Sequence, residues 1–125
     1  MITPKLIYVR HRKGEPSVQI LKKEIPFCEL TIVFKGTIEY RVNGERVTLR
    51  DGDAVFIPQG SVRERDLCRD DVDYISFNFS VDEELSLPIF LPNILTRDIR
   101  LLLIISMRLF KLSVHLKAHR LLRKT

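Results

Sequence analysis

The 125-residue chain lacks a long hydrophobic run. Its most apolar stretch, LLLIISM at residues 101–107, is bounded by Arg100 and Arg108, whereas about 20 apolar residues are needed to span a bilayer. The first residues, MITPKLIYVRHRKG, contain no apolar core of the kind that a secretory signal peptide requires. We therefore expect a soluble, cytoplasmic protein that does not bind membranes.

Cysteine and histidine are scarce, which limits redox and metal chemistry. Cys28 and Cys68 form no C-x-x-C motif, so we expect two reduced thiols rather than a disulfide. His115 and His119 are four residues apart and could face one metal on a helix, but no third ligand is near them in sequence. A solvated basic helix face is the favoured interpretation there, and His11 lies far from both. We predict no metal and no cofactor.

Motifs of several enzyme classes are absent as well. The sequence contains no glycine-rich phosphate loop, no G-x-S-x-G and no H-E-x-x-H, and no nucleophile–histidine pairing is visible from spacing. It also contains no internal repeat and no low-complexity segment. The sequence therefore carries no signature of these enzyme classes.

Charge is distributed unevenly along the chain, whose net charge is +5. Residues 1–96 carry 13 Lys/Arg and 15 Asp/Glu, a net of −2, whereas residues 97–125 carry 8 and 1, a net of +7. A basic tail can contact nucleic acid, a membrane surface or an acidic partner. A helix with a solvated Lys/Arg stripe is the favoured interpretation.

The first two thirds of the chain are predicted to form short strands separated by turns. Asn43-Gly44 between two β-rich runs predicts a type I′ hairpin, because that turn needs positive φ at both central residues. Many short strands at a spacing of roughly ten residues favour a sandwich or barrel. The predicted strands cover residues 5–12, 17–21, 28–34, 37–42, 45–50, 54–58 and 74–81.

The last third is predicted to be helical. Residues 82–95 form a connector in which Pro88 and Pro92 oppose regular structure. Thr96 is a suitable N-cap for a helical segment over residues 96–125. The polar stripe of that segment is narrow, so we expect a second helix or a second subunit to cover its apolar residues. The predicted dimerisation residues are Leu102, Ile105, Leu109 and Leu112.

A carboxylate and two arginines stand out within the strand region. Alternation places Glu29 and Thr31 on one face of an apolar strand. If Glu29 faces inward, its carboxylate must be solvated, paired with a cation or used in the function of the protein. If it faces outward on an edge strand, it is an ordinary surface residue. Arg63 and Arg65 follow the corner Pro58-Gln59-Gly60 and share one side. Arg63 could pair with Glu29, hold an anionic or sugar ligand, or belong to a surface salt-bridge loop.

The last predicted strand has one polar and one apolar face. Tyr74, Ser76 and Asn78 alternate with Ile75, Phe77 and Phe79. The aromatic residues favour the second face for the core between the sheets, whereas the polar residues suit a pocket, and the opposite assignment stays open. The predicted ligand-binding residues are Glu29, Thr31, Arg63, Tyr74, Ser76 and Asn78.

These motifs resemble those of the cupin family. Gly52, then five residues, Pro58-Gln59-Gly60 and two residues lead to Arg63, where the cupin pattern has a metal-binding histidine. Glu29, six residues and Gly36 match the second half of the other cupin motif, but its two histidines are missing. The resemblance implies a mainly β cupin (RmlC-like jelly-roll) barrel over residues 5–81, followed by a C-terminal helix or helices, and argues against the metal.

A narrower resemblance covers residues 27–103. PFCELTIVFKGTIEYRVNGERVTLRDGDAVFIPQGSVRER, DYISFNF and LPNILTRDIRLLL look like the N-terminal sensing and dimerisation domain, arabinose-binding-like, of AraC-type transcriptional regulators. The resemblance implies a small-molecule effector such as a sugar, a homodimer formed through the C-terminal helix, and DNA binding only through a separate helix-turn-helix domain that this chain does not contain. It also implies a module that is not an enzyme and has no catalytic residues. The alternative is a metal-independent cupin enzyme acting on a sugar-like substrate, with Glu29 as general base and Arg63 stabilising an anion.

Overall fold

The computed structural model describes residues 5–94 of the protein, which form two antiparallel β-sheets and confirm the mainly β class. One sheet has five strands in the order β1-β8-β3-β6-β9, and the other has four in the order β2-β7-β4-β5. The strands are β1 (Lys5–Pro16), β2 (Ile20–Glu24), β3 (Cys28–Lys35), β4 (Ile38–Val42), β5 (Glu45–Leu49), β6 (Ala54–Ile57), β7 (Val62–Arg65), β8 (Asp71–Ser80) and β9 (Phe90–Leu91).

The predicted helical segment, residues 96–125, lies outside the described residues. The same is true of the predicted dimerisation residues Leu102, Ile105, Leu109 and Leu112 and of the pair His115 and His119. Within residues 5–94, no helix is long and apolar enough to cross a membrane.

The hairpin between β4 and β5 forms as the sequence predicts. Asn43 has a φ of 52° and Gly44 a φ of 84°, so both central residues have the positive φ that a type I′ turn requires. The side chain of Asn43 also accepts a hydrogen bond from the backbone N–H of Val62 at 2.9 Å. The turn therefore fixes the β4–β5 register and also contacts the start of β7.

Several strand predictions differ from the structure. Strand β1 continues to Pro16 instead of ending at residue 12, β2 begins at Ile20 and not at residue 17, and β8 begins at Asp71 and not at residue 74. Strand β9 lies inside the predicted connector of residues 82–95 and pairs with β6, and β7 was not predicted at all. Three of the four residues of β7 are charged, so its sequence lacks the apolar alternation of a half-buried strand. Its position explains this composition, because β7 lies between β2 and β4 and directs Arg63 and Arg65 into the space between the sheets.

The inner core lies between the two sheets. Val33, Val55 and Tyr74 of the five-stranded sheet pack there against Ile38 and Tyr40 of the four-stranded sheet, and all five are fully buried. These residues determine which face of each strand points inward. In β3 and β8, that face also carries Glu29, Thr31, Ser76 and Asn78.

A second core covers the opposite face of the five-stranded sheet. Phe77, Phe79 and Ile75 are buried there together with Leu30, beneath residues 81–94. The expectation that these aromatic side chains fill the space between the sheets is therefore wrong. Their apolar surface is removed from water by the chain that follows β8 rather than by the opposing sheet.

Candidate functional site

A cavity of about 400 Å³ opens between the two sheets, on the side of β1 and β2. Its wall combines three guanidinium groups and one carboxylate with hydroxyl, amide and apolar groups. The residues that line it are Tyr8, Arg10, Val18, Ile20, Glu29, Arg63, Arg65, Tyr74, Ser76 and Asn78.

Strand register brings the polar residues of the five-stranded sheet together. Glu29 lies opposite Asn78 and Thr31 lies opposite Ser76 in the β3–β8 ladder. Side chains at such directly opposed positions have Cβ atoms about 5 Å apart on the same face. On the other side of β8, Arg10 lies opposite Ser76. Two adjacent rows of cross-strand neighbours therefore carry the polar groups that the five-stranded sheet contributes to the cavity wall.

Glu29 is the centre of a buried hydrogen-bond network. The side chain is 2% exposed. Its Oε2 atom accepts hydrogen bonds from the hydroxyls of Thr31 and Tyr40, each at 2.6 Å, and its Oε1 atom pairs with Arg63. A carboxylate that accepts only donated hydrogen bonds in this way is satisfied in its ionised form.

Two chains of donors converge on that carboxylate. Ser76 and Thr31 are 2.6 Å apart through their hydroxyl oxygens. Because the single proton of Thr31 goes to Glu29, Ser76 donates to Thr31. Arg65 donates to the Tyr40 hydroxyl at 3.2 Å, and Tyr40 donates to Glu29. The network thus extends from Glu29 to residues on both sides of the cavity.

The ionisation of Tyr40 and Arg65 reflects this environment. Burial, followed by the negative charge of Glu29, raises the pKa of Tyr40 above its ordinary value. Burial acts to lower the pKa of Arg65, but Tyr40, Tyr74 and Glu29 outweigh it and leave that pKa raised. Tyr40 therefore stays neutral and Arg65 stays charged at neutral pH.

The corner before β7 aims Arg63 at the carboxylate. Gly60 adopts a φ of 89° and donates its N–H to the carbonyl of Ile25 at 2.8 Å, which anchors the turn to the end of β2. The guanidinium of Arg63 also lies over the ring of Phe27, 5.4 Å from its centroid. Arg63 is thus fixed by an ion pair to Glu29 and by a cation–π contact.

The residues around Glu29 do not fit a transition-metal ion. A metal site needs three or four nitrogen, oxygen or sulfur ligands. In the described part of the chain, no three His, Cys, Asp or Glu side chains are grouped closely enough to hold one. Both oxygens of Glu29 are already occupied by donors, and the guanidinium of Arg63 would repel a second cation.

Five of the six predicted ligand-binding residues line this cavity: Glu29, Arg63, Tyr74, Ser76 and Asn78. Thr31 lies behind them, fully buried, and connects Ser76 to Glu29. Tyr40 and Arg65 were not among the predicted residues. Alternation in TIEYRV, and the position of Arg65 two residues after Arg63, were the signals that could have identified them.

Comparison with known proteins supports the fold. Residues 23–64 match the model of the cupin domain family Cupin_2, which supports the predicted cupin domain over that part of the chain. No curated protein is significantly similar to the chain in sequence.

The fold resembles that of the protein YhaK from Escherichia coli, with a TM-score of 0.53 and 17% sequence identity. The match covers 70% of this chain and 41% of YhaK, so the chain spans less than half the length of that protein. The Cupin_2 domain of an XRE family transcriptional regulator from Enterobacter cloacae has 20% identity and a TM-score of 0.38, over 62% of this chain and 94% of that domain. An oxalate decarboxylase from Bacillus subtilis has 10% identity and a TM-score of 0.42, and the match covers 66% of this chain and 22% of the decarboxylase.

The family match and the similarity to YhaK support a cupin fold and do not assign an activity, because one fold supports many functions. The resemblance to AraC-type regulators and the absence of enzymatic activity stay predictions.

Proposed function

We propose that the chain is the ligand-sensing and dimerisation module of an AraC-type transcriptional regulator, and that its cavity takes up a small polar effector of about monosaccharide size. The cavity of about 400 Å³ with its mixed polar and apolar wall is the observation that carries the proposal. Cavities of this volume hold small molecules and use a few placed polar groups to orient them. The sequence resemblance over residues 27–103 supplies the regulatory context.

The network behind the cavity wall supports ligand binding. Glu29 lines the cavity and is held by hydrogen bonds of 2.6 Å from Thr31 and Tyr40, and all three residues are at most 2% exposed. Side chains that are already fixed lose little conformational entropy when a ligand binds. An effector would therefore meet a preformed surface, to which Ser76 and Asn78 add a hydroxyl and an amide.

Two strands connect the cavity to the C-terminal part of the chain. Thr31 and Ser76 belong to the cavity network, while their neighbours Leu30 and Phe77 pack on the other face beneath residues 81–94. If a ligand shifts β3 or β8, the movement of the strand would also change the packing of that second core. Sensing needs such an element, since a ligand acts on another site only if it favours one packing over another.

Ligand binding is tested by thermal denaturation of the full chain with a panel of neutral, acidic and phosphorylated monosaccharides. We expect at least one compound to raise the Tm by about 4 °C or more at saturation. Asn78→Trp, which fills the half-buried edge of the cavity, should abolish the shift. Arg46→Trp is the matched control, because Arg46 lies on β5 with its side chain 60% exposed. A panel without any effect on the wild-type protein would contradict the proposal.

Dimerisation is tested by sedimentation equilibrium of the same protein, with and without the compound that binds. We expect a dimer whose dissociation constant changes when the ligand is present. A monomer at high concentration, in both conditions, would contradict the dimerisation half of the proposal.

A metal-independent enzyme is the second candidate, because Glu29 and Arg63 place a carboxylate and a cation at one cavity wall. The network disfavours Glu29 as a general base, since both of its oxygens already accept hydrogen bonds. NMR spectra of the panel after long incubation with the protein decide between the two. Product formed by the wild-type protein, and not by Glu29→Gln under conditions where circular dichroism shows that the variant is folded, would favour the enzyme.

A further inference from the structure

Arg65 is a buried cation without an anionic partner in the described part of the chain. The residue is 5% exposed. Its Nε–H donates to the carbonyl of Val18 at 2.8 Å, and its Nη1 atom donates to the hydroxyl of Tyr40 at 3.2 Å. Both partners are neutral, and a buried charge is costly unless it is paired.

Arg65 has more N–H donors than the neighbouring residues have acceptors for it. A guanidinium group has five N–H donors, and the two hydrogen bonds to Val18 and Tyr40 use two of them. The side chain lies 5.3 Å from the ring centroid of Tyr74 and forms part of the cavity wall. Donors are therefore left over on a charged group that borders an open space.

Other groups of the same wall also lack partners. The hydroxyl of Tyr74 and the Nε atom of Arg63 are buried and find no hydrogen-bond partner among residues 5–94. Tyr74 itself is fully buried. Unpaired buried polar atoms are uncommon in folded proteins, and at a cavity wall such a hydroxyl is able to donate to a bound molecule.

The charges of the wall do not balance. Arg63 is neutralised by Glu29, but Arg10 and Arg65 have no carboxylate partner among residues 5–94. Arg10 is half-buried, donates its Nε–H to the hydroxyl of Tyr8 at 2.8 Å and lies over that ring. The lining of the cavity thus has two positive charges in excess.

We propose that the effector carries an oxyanionic group, a carboxylate or a phosphate, that Arg65, Arg10 and the Tyr74 hydroxyl bind. Guanidinium groups match the geometry of both oxyanions. The neutral part of the molecule would then contact Ser76 and Asn78. This inference rests on the proposed ligand-binding function and assigns Arg63 to the network of Glu29 rather than to the ligand.

Calorimetry with three ligands of the same ring tests the inference: glucose, glucuronate and glucose 6-phosphate. Acetate and inorganic phosphate serve as probes that do not depend on the sugar. At low ionic strength, we expect at least one of the four anions to bind at least tenfold more tightly than glucose. Whether the carboxylates or the phosphates bind better identifies the oxyanion.

Three charge-removing variants locate the binding. Arg65→Gln and Arg10→Gln should each weaken binding of the anion about tenfold. Arg10→Gln is included because Arg10 lines the cavity and is only half-buried, so we expect the variant to fold as the wild-type protein does. Arg46→Gln, an exposed charge on β5, should leave binding unchanged and thereby control for the loss of net charge.

The outcomes separate this inference from the proposed function. Neutral sugars that bind as tightly as the anions would overturn the inference and leave ligand sensing intact. Anions that bind without any change in the sedimentation of the protein would support the inference and contradict sensing. If none of the four anions binds better to the wild-type protein than to Arg10→Gln, the inference is wrong.

Discussion

Arg63 and Glu29 form an ion pair that joins the two sheets. Arg63 belongs to β7 of the four-stranded sheet, Glu29 belongs to β3 of the five-stranded sheet, and 34 positions separate them in sequence. The Glu29 side chain is 2% exposed and the Arg63 side chain 12% exposed. In the cupin pattern this position of Arg63 holds a metal-binding histidine, so here a guanidinium supplies the positive charge beside the carboxylate.

Removing the charge of Glu29 should destabilise the protein. Glu29→Gln leaves the guanidinium of Arg63 buried without its partner, and breaking a buried pair in this way costs roughly 3–5 kcal/mol. We expect a loss of about 3 kcal/mol in the free energy of unfolding. Urea denaturation followed by circular dichroism measures it.

The double variant Glu29→Gln/Arg63→Met distinguishes the loss of the ion pair from the cost of leaving one charge buried without a partner. It removes both charges, so we expect it to be more stable than Glu29→Gln alone. Glu64→Gln is the surface control, because the pair that Glu64 forms with Arg41 has a separation of 3.6 Å and side chains 27% and 41% exposed. It should cost less than about 1 kcal/mol. Equal losses in Glu29→Gln and Glu64→Gln would contradict the role of the buried pair.

Tyr40 should resist ionisation for as long as the protein is folded. Burial and the charge of Glu29 raise its pKa, so the folded state favours the neutral phenol. The stabilisation from this group is complete below the pKa of an unfolded tyrosine, about 10, and is lost as the pH rises through the folded pKa. Absorbance at 295 nm, compared between the wild-type protein and Tyr40→Phe, isolates this phenol.

We expect the difference spectrum to appear only at the pH where circular dichroism reports unfolding. Tyr40→Phe also removes a donor to Glu29 and an acceptor from Arg65, and should therefore cost about 1–2 kcal/mol at neutral pH. Ionisation of Tyr40 near pH 10 in a protein that is still folded would disagree with the buried network.

Local sequence patterns predicted much of the site because alternation in a strand is local information. Glu29 and Thr31 share a face with each other, and Ser76 shares one with Asn78, whatever the rest of the chain does. Which of the two faces points to the cavity depends on contacts that are distant in sequence. Residues 81–94 cover the opposite face of β8, and no pattern within β8 contains that information. Alternation does place Arg65 on the same side as Arg63, but its contacts with Tyr40 and Tyr74 join residues that are distant in sequence.

Substitution by alanine should destabilise the protein to different extents at Gly44 and at Gly36. Gly44 has a φ of 84° and open space where a Cβ atom would lie, so Gly44→Ala adds only backbone strain of about 1–2 kcal/mol. At Gly36, with a φ of 104°, a Cβ would lie 3.1 Å from the carbonyl oxygen of Asp71 and from a methyl group of Val72. Gly36→Ala should therefore lose more stability than Gly44→Ala in urea denaturation. The reverse order would contradict the close approach of β3 and β8 at this point.

The second core should contribute as much to stability as a core between sheets. Phe77 is fully buried beneath residues 81–94, and truncating a buried phenylalanine costs about 3–5 kcal/mol. We expect Phe77→Ala to lose that amount in urea denaturation. Phe90→Ala is the matched control on β9, where the side chain is 43% exposed, and should lose about 1 kcal/mol or less. Similar small losses in both variants would mean that residues 81–94 do not cover this face in solution, and the coupling of the cavity to the C-terminal part of the chain would then lose its structural basis.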